Sequence, residues 1–185
     1  MNKNKNYGCI EIICGPMFSG KTEELIRRLK RSIIAKKEIL VFKPKIDNRY
    51  SDDCIVTHDN NSIESISIKN GEEERILELS RDTNTIGIDE VQFFNEEMIS
   101  ICIELSKRGK RIIASGLDKD FKGQPFGIMP NLLCEAESVT KLNAICNKCG
   151  DYAYFTKRIS DDKNQILLGE SDFYEANCRD CFYNN

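Results

Sequence analysis

Apolar and polar positions along this chain fall into short runs that predict strands and helices by turns. Cys9-Ile10-Glu11-Ile12-Ile13-Cys14 is an apolar run of strand length. From Thr22 to Lys37 the apolar residues Leu25, Ile26, Leu29 and Ile33 recur at helical spacing. Glu38 to Lys43 reads as a short buried strand, and a polar loop with Pro44, Asp47, Asn48 and Arg49 follows. Ile63, Ile66 and Ile68 suggest another short strand, and Gly71 to Leu77 a short helix. Thr85-Ile86-Gly87-Ile88-Asp89 is again an apolar strand, ending in an acid. Met98, Ile101, Cys102 and Leu105 mark an amphipathic helix that Gly109 ends, and Lys110 to Ser115 makes the next strand. Gly116 to Gly127 reads as a strand end running into a long loop. Alternating βα units of this kind predict an α/β fold, a parallel sheet flanked by helices. From about Val139 the pattern changes. Val139 to Cys146 and Tyr152 to Arg158 read as short strands around a cysteine pair, with a polar loop at Asp161-Asp162-Lys163-Asn164. The expected division is therefore a large α/β unit over 1–138 and a compact appendage over 139–185.

Composition narrows the class. At 185 residues, 40% hydrophobic and 31% charged, the chain is long enough to bury a substantial core. No apolar run approaches the length of a membrane span, and Met1 to Asn6 lacks the apolar stretch of a signal peptide, so the expected location is the cytoplasm, with no membrane partner. A net charge of −3 speaks against nucleic acid as a partner. The basic residues Arg27, Arg28, Lys30 and Arg31 accompany the apolar positions of one helix and read as its solvated face.

The chemistry begins at residues 15–22. Gly15-Pro16-Met17-Phe18-Ser19-Gly20-Lys21-Thr22 fits G-x-x-x-x-G-K-[ST] at every fixed position, after a strand and opening a helix. Backbone N–H groups of such a loop and a helix N-terminus cradle phosphate oxygens, Lys21 would reach the β- and γ-phosphates, and the Thr22 hydroxyl would ligate Mg²⁺. An apolar strand ending in Asp is the partner such a loop needs, and Ile86-Gly87-Ile88-Asp89 supplies it. Glu90 beside it can accept a proton, either from water or from a substrate hydroxyl. The dyad alone does not decide which. Gln92-Phe93-Phe94, and the loop carrying Phe121 and Phe126, add an amide and aromatic rings suited to gripping a flat heterocycle.

Nine cysteines form the second unusual feature. Four make two C-x-x-C pairs, Cys146/Cys149 and Cys178/Cys181, the ligand set of a closed structural zinc site. The insert from Gly150 to Asn177 is 28 residues, long enough to form a loop with its own role. Cys9, Cys14, Cys54, Cys102 and Cys134 read as small core hydrophobes in a reducing compartment, and the odd total argues against a disulfide framework. His58, the sole histidine, is remote in sequence from both pairs and reads as a structural or loop residue.

Taken in order, the phosphate loop, Asp47-Asn48-Arg49-Tyr50, Thr57-His58-Asp59, Ile88-Asp89-Glu90-Val91-Gln92-Phe93-Phe94, Leu117-Asp118 with Pro125-Phe126-Gly127, and the two cysteine pairs resemble the cellular-type (type II) thymidine kinase family from about Gly8 to Cys181. The resemblance implies a P-loop domain with a zinc-binding lobe, and transfer of the ATP γ-phosphoryl group to the 5′-hydroxyl of thymidine. It also implies a homotetramer and inhibition by dTTP. By matching position, Glu90 is the expected general base. Gly15, Pro16, Met17, Phe18, Ser19, Gly20, Lys21, Thr22, Asp47, Arg49, Asp89 and Gln92 are the expected ATP and phosphate contacts, with Thr22 and Asp89 serving Mg²⁺. Met17, Phe93, Leu117, Phe121, Phe126, Thr156 and Tyr174 are the expected nucleoside contacts, and Cys146, Cys149, Cys178 and Cys181 the zinc ligands. The long insert would be a lasso closing over thymine mainly through its backbone, so departures there such as Gln165 are tolerated.

Two rival readings remain open at this level. One is a P-loop ATPase or molecular switch, for which Asp89-Glu90 would activate water. The other is a zinc-ribbon nucleic-acid module with an accessory NTPase. Against the latter, residues 139–185 carry six basic residues (Lys141, Lys148, Lys157, Arg158, Lys163, Arg179) and seven acidic ones (Asp151, Asp161, Asp162, Glu170, Asp172, Glu175, Asp180).

Overall fold

A computed structural model of the chain describes residues 7–45, 54–56, 62–159 and 173–184. Its centre is a six-stranded, wholly parallel sheet in the order β5-β2-β6-β7-β1-β8. The strands are β1 Cys9–Cys14, β2 Ile39–Pro44, β5 Ile66–Ile68, β6 Thr85–Ile88, β7 Arg111–Gly116 and β8 Ser138–Lys141. Alternation in β1 explains the two layers. Ile10, Ile12 and Cys14 face one core with Met98, Ile101, Cys102 and Leu105 of α3 (Glu97–Lys107). Ile76 of α2 (Arg75–Leu79) and Met129 and Leu132 of α4 (Met129–Glu135) join that core. Ile13 faces the other, against Leu25, Ile26 and Leu29 of α1 (Lys21–Ile34). Side chains one residue apart on a strand point to opposite faces, so one apolar strand serves both layers.

Glu11 is the polar member of β1 and lies on the α1 side, where it accepts from Arg28 at 2.9 Å and Arg111 at 2.6 Å. Burial pushes the Glu11 carboxyl up, but the ion pairs with Arg111 and Arg28 outweigh it and hold the pKa below the ordinary value.

Several expectations shift. Ile63 and Ile68 belong to different strands. β4 (Ser62–Glu64) pairs antiparallel with β3 (Cys54–Val56), whereas β5 forms an edge of the large sheet. The run Val139 to Cys146 also divides. Its first part lies in β8, which pairs in parallel with β1 from Glu11↔Ser138 to Cys14↔Lys141, so the large sheet continues past residue 138. β8 is an edge strand with Val139 half exposed, which is why its pattern lacks the apolar signature of a central strand. Helix α4 occupies a stretch for which the apolar spacing predicts no element.

The remaining strands build the small lobe. β9 (Ala144–Ile145) pairs with β10 (Tyr152–Ala153), and β11 (Phe155–Arg158) with β12 (Tyr174–Asn177). Tyr154 thus splits the single strand expected over Tyr152 to Arg158. The lobe ends in α5 (Arg179–Tyr183).

Candidate active site

Parallel strands all end at one edge of the sheet, and there the sequence motifs converge. The loop after β1 turns through left-handed backbone at Phe18 (φ 63°) and Gly20 (φ 78°). Successive turns of this kind point N–H groups inward as an anion cradle. Gly15 has φ 148°, and a Cβ there would lie 2.5 Å from the Leu142 carbonyl oxygen, so the loop packs directly on the chain leaving β8. Lys21 is buried and donates from Nζ to the Pro16 carbonyl at 2.8 Å, while Ser19 Oγ donates to the same oxygen at 2.8 Å. Burial lowers the Lys21 pKa, opposed by the charges of Glu90, Asp89 and Asp118.

Asp89, just past β6, is 7% exposed. Its Oδ1 accepts from Ser115 Oγ at 2.5 Å and from the Glu90 N–H at 3.1 Å, and its Oδ2 accepts from Thr22 Oγ1 at 3.3 Å. Burial and the adjacent Glu90 charge push its carboxyl up to about 6, with Ser115 and the Glu90 N–H pulling the other way. Hydroxyl, carboxylate and lysine thus meet around the loop, the donor set that suits a magnesium–triphosphate. Glu90 has φ 51°, a conformation that a residue with a Cβ adopts at a cost and that recurs at functional sites. Gln92 donates to its Oε2 at 2.5 Å.

Aromatic residues follow the carboxylates in the chain and recur in the 117–126 loop. Phe93 and Phe126 meet edge to face at 5.4 Å and 84°. The Arg158 guanidinium lies 3.8 Å from the Phe121 ring centroid and 5.2 Å from that of Tyr174, and it donates to the Tyr174 hydroxyl at 2.7 Å. The lobe also touches the phosphate loop, because the Met17 N–H donates to Thr156 Oγ1 at 2.9 Å.

Within the lobe the four paired cysteines come together with all sulfurs within 4.8 Å of one another, and Cys149 and Cys178 at 3.6 Å. A tetrahedron with metal–sulfur bonds of about 2.3 Å has edges of roughly 3.8 Å, so the cluster can hold a metal ion. Against the opposing effect of burial, N–H groups of Cys178, Lys148 and Cys149 lower Cys146 to about 6. The hydrogen bond with Cys178, and after it burial, raises the Cys181 thiol to about 12. As thiolates, four sulfurs this close would repel one another, and a cation among them would offset that repulsion. Among the described residues, the apolar cluster around the cysteines is Ala144, Cys146, Ala153 and Ala176, edged by Cys178 and Cys181, a small core by itself.

Comparison with known proteins decides among the readings. Residues 8–182 match the thymidine kinase family. The chain belongs to that family. It is 48% identical to the thymidine kinase of Bacteroides thetaiotaomicron over 98% of this chain and 90% of that one. It is 47% identical to the thymidine kinase of Rhodothermus sp. over 96% and 82%. Among solved structures, domain III of the Thermotoga maritima replication initiation protein DnaA aligns at TM-score 0.46 and 15% identity, over 76% of this chain and 57% of that one, and adds nothing to the assignment.

Set against the thymidine kinase motifs, Gly15 to Thr22, Asp89 and Glu90 cluster at one sheet edge. Met17, Phe93, Leu117, Phe121, Phe126, Thr156 and Tyr174 border the same region through the contacts above and the 117–126 loop. Asp47, Arg49, His58, Gln165 and the middle of the expected lasso lie outside the described residues. Gln92, expected among the nucleotide contacts, is 3% exposed with both ends of its amide engaged within the protein. Sequence reasoning passed over Ser115 and Arg158. Ser115 had one available signal, since β7 runs beside β6 and its end must flank Asp89. Arg158 had none, because only the fold places it between two rings.

Proposed function

We propose that the protein transfers the γ-phosphoryl group of ATP to the 5′-hydroxyl of thymidine. The observation that carries this reading is the geometry at the end of β6. A carboxylate that accepts from the Thr22 hydroxyl, Asp89, is followed by a second carboxylate, Glu90, whose Oε2 is held by Gln92 and whose charge acts on Lys21 of the phosphate loop. Phosphoryl transfer asks for positioning and charge neutralisation. Lys21 and the loop N–H groups hold the phosphates, and Thr22 and Asp89 would hold Mg²⁺, which supplies positive charge to the transferring group. Glu90 takes the proton of the attacking hydroxyl. Phe93 and Phe126, with Phe121 and Tyr174 held together by Arg158, provide the apolar surface against which a flat pyrimidine rests.

The metal of the four-cysteine site is zinc in this reading, since four thiolates in a closed tetrahedron suit it best. Its part is mechanical. Cys181 lies in α5, whose Phe182 stacks on Phe155 at 4.6 Å, and the next residue, Thr156, holds the Met17 N–H. The functional division follows: the α/β unit binds phosphate, and the lobe covers the acceptor. Assembly as a homotetramer, inhibition by dTTP and a cytoplasmic location belong to the same proposal, supported by family membership. Among the described residues no helix is long and apolar enough to cross a membrane.

The test is Glu90→Gln, which keeps size and removes the proton acceptor. Turnover should fall by roughly 10²–10⁴ with ATP binding little changed. A variant that retains near wild-type turnover would remove Glu90 from the role of base.

A further inference from the structure

Gln92 is buried one turn beyond the carboxylate pair, and each end of its amide has a separate task. Nε2 donates to Glu90 Oε2 at 2.5 Å, and Oε1 accepts from the Leu117 N–H at 3.1 Å. Leu117 opens the loop that carries Phe121 and Phe126, and Gly127 closes it. Both ends of that loop press on Gln92. A Cβ at Gly116 would lie 2.5 Å from Gln92 Oε1, and a Cβ at Gly127 (φ 49°) would collide with the Gln92 carbonyl oxygen. The 117–127 segment therefore closes around this glutamine only because two glycines leave room for it. Beyond Gln92, the loop is held by its own bonds through Asp120 and from the Phe126 N–H to the Asp118 carbonyl, by the ion pair of Asp118 with Lys141, and by the ring contacts of Phe121 with Arg158 and Phe126 with Phe93.

From this we infer that Gln92 is a double-ended positioning residue, fixing the carboxylate of Glu90 with one end and the acceptor loop with the other. The inference rests on the kinase reading with Glu90 as base. It replaces a nucleotide-contact role for Gln92. Each end of the amide is already engaged within the protein, and only 3% of the residue is exposed, which leaves little open approach for a phosphate. The need for such a clamp is visible in the backbone: Glu90 sits at φ 51°, and a residue in that conformation stays put only when its surroundings hold it. A carboxylate left to rotate would lose the alignment that proton abstraction requires.

The two ends make separable demands on kinetics. Losing the bond to Glu90 lowers kcat, whereas losing the bond to Leu117 loosens the loop and raises KM for the nucleoside. Gln92→Met, similar in length and without donor or acceptor, should lower kcat by roughly 10–100-fold and raise KM for thymidine by roughly 3–10-fold. Affinity for a non-hydrolysable ATP analogue, measured by calorimetry, should stay within about twofold. Gln92→Glu keeps the acceptor for Leu117 but sets a carboxyl group against Glu90. Repulsion displaces the base, or a shared proton neutralises it, so kcat should fall at least about tenfold while KM for thymidine stays within about threefold. The double variant Glu90→Gln/Gln92→Met should show the kcat of Glu90→Gln alone, because Gln92 then has no base to position.

Weakened binding of the ATP analogue by about tenfold or more, with kcat restored at saturating ATP, would make Gln92 a nucleotide contact and overturn the inference. Multiplicative loss of kcat in the double variant would overturn it as well. Should Gln92→Met fail to yield folded protein by circular dichroism, the isosteric Gln92→Glu carries the test alone, and kcat within about twofold of wild type would refute it. The two failures are distinguishable. A Glu90→Gln enzyme near wild-type kcat sinks the base reading itself, whereas an inactive Glu90→Gln beside an unaffected Gln92→Met sinks only the role of Gln92.

Discussion

Ser115→Ala isolates the electrostatics of Asp89, the carboxylate proposed to hold magnesium. Ser115 Oγ donates to Asp89 Oδ1 at 2.5 Å in a buried setting, and Asp89 already stands near 6 because burial and Glu90 both oppose its charge. A hydrogen bond to a charged group is worth about 1.5–3 kcal/mol, and its loss leaves the carboxylate that much less stable relative to the neutral acid. At about 1.4 kcal/mol per pH unit, the carboxyl of the variant should titrate roughly one to two units higher. The sign follows directly. Proton and metal compete for the same oxygens, so below that pH the variant needs about tenfold more free Mg²⁺ per unit, and above it the deficit disappears. The assay is the steady-state rate of thymidine phosphorylation at fixed ATP with free Mg²⁺ titrated at about pH 6.5, 7.5 and 8.5, in variant and wild type side by side. The variant should need roughly tenfold more Mg²⁺ for half-maximal rate at the lowest pH and converge within about twofold at the highest. Identical Mg²⁺ curves at every pH, or the same deficit at every pH, would refute the assignment of Asp89 as the titrating ligand.

Two further outcomes follow from the same structure. Elemental analysis should find about one zinc ion per chain, and Cys146→Ser or Cys181→Ser should lose it. Amide exchange should then rise in residues 144–159 and 173–184 while the six-stranded sheet stays protected, whereas a metal-free variant that is equally stable and active would contradict the site. Glu11→Gln should lower stability by roughly 1–3 kcal/mol near neutral pH, toward the small end because Arg111 is partly exposed and screened. Because the Glu11 pKa is depressed, its contribution is complete above the ordinary carboxylate range and fades as pH drops through the folded-state value. The melting temperatures of variant and wild type should therefore converge in acid, and a gap independent of pH would exclude the ion pairs as its source.

How much was legible in the sequence depended on whether the signal was local. The phosphate loop and the Asp89-Glu90 strand end are contiguous motifs, and the strands and helices that present them follow from periodicity over a few residues. The four cysteines were legible because thiolate pairs at this spacing have few other uses, and the fold then brought sulfurs 29 residues apart and more within reach. What escaped was non-local. β8 looks like lobe because an edge strand with a half-exposed valine lacks a buried pattern, and its place beside β1 is decided by tertiary pairing. Ser115 and Arg158 acquire their roles only through neighbours 26 and 16 residues away, Asp89 and Tyr174. Gln92 was noticed as an amide beside the carboxylates. Its direction, inward to Glu90 and Leu117, depends on where β7 delivers the loop.

The central claim is the identity of the acceptor. The direct measurement mixes the protein with Mg²⁺-ATP and, separately, thymidine, deoxyuridine, deoxycytidine, deoxyadenosine or no nucleoside, following ADP and the 5′-monophosphate together. Thymidine and deoxyuridine share one ring-edge pattern and should both be phosphorylated. Deoxycytidine presents an amino donor where they present the O4 acceptor, which leaves a buried partner unpaired at about 1–3 kcal/mol, and it should be poor, as should the larger purine. Equal turnover with deoxycytidine or deoxyadenosine, or equal ADP release with no nucleoside at all, would contradict the account and return the chain to the class of P-loop ATPases.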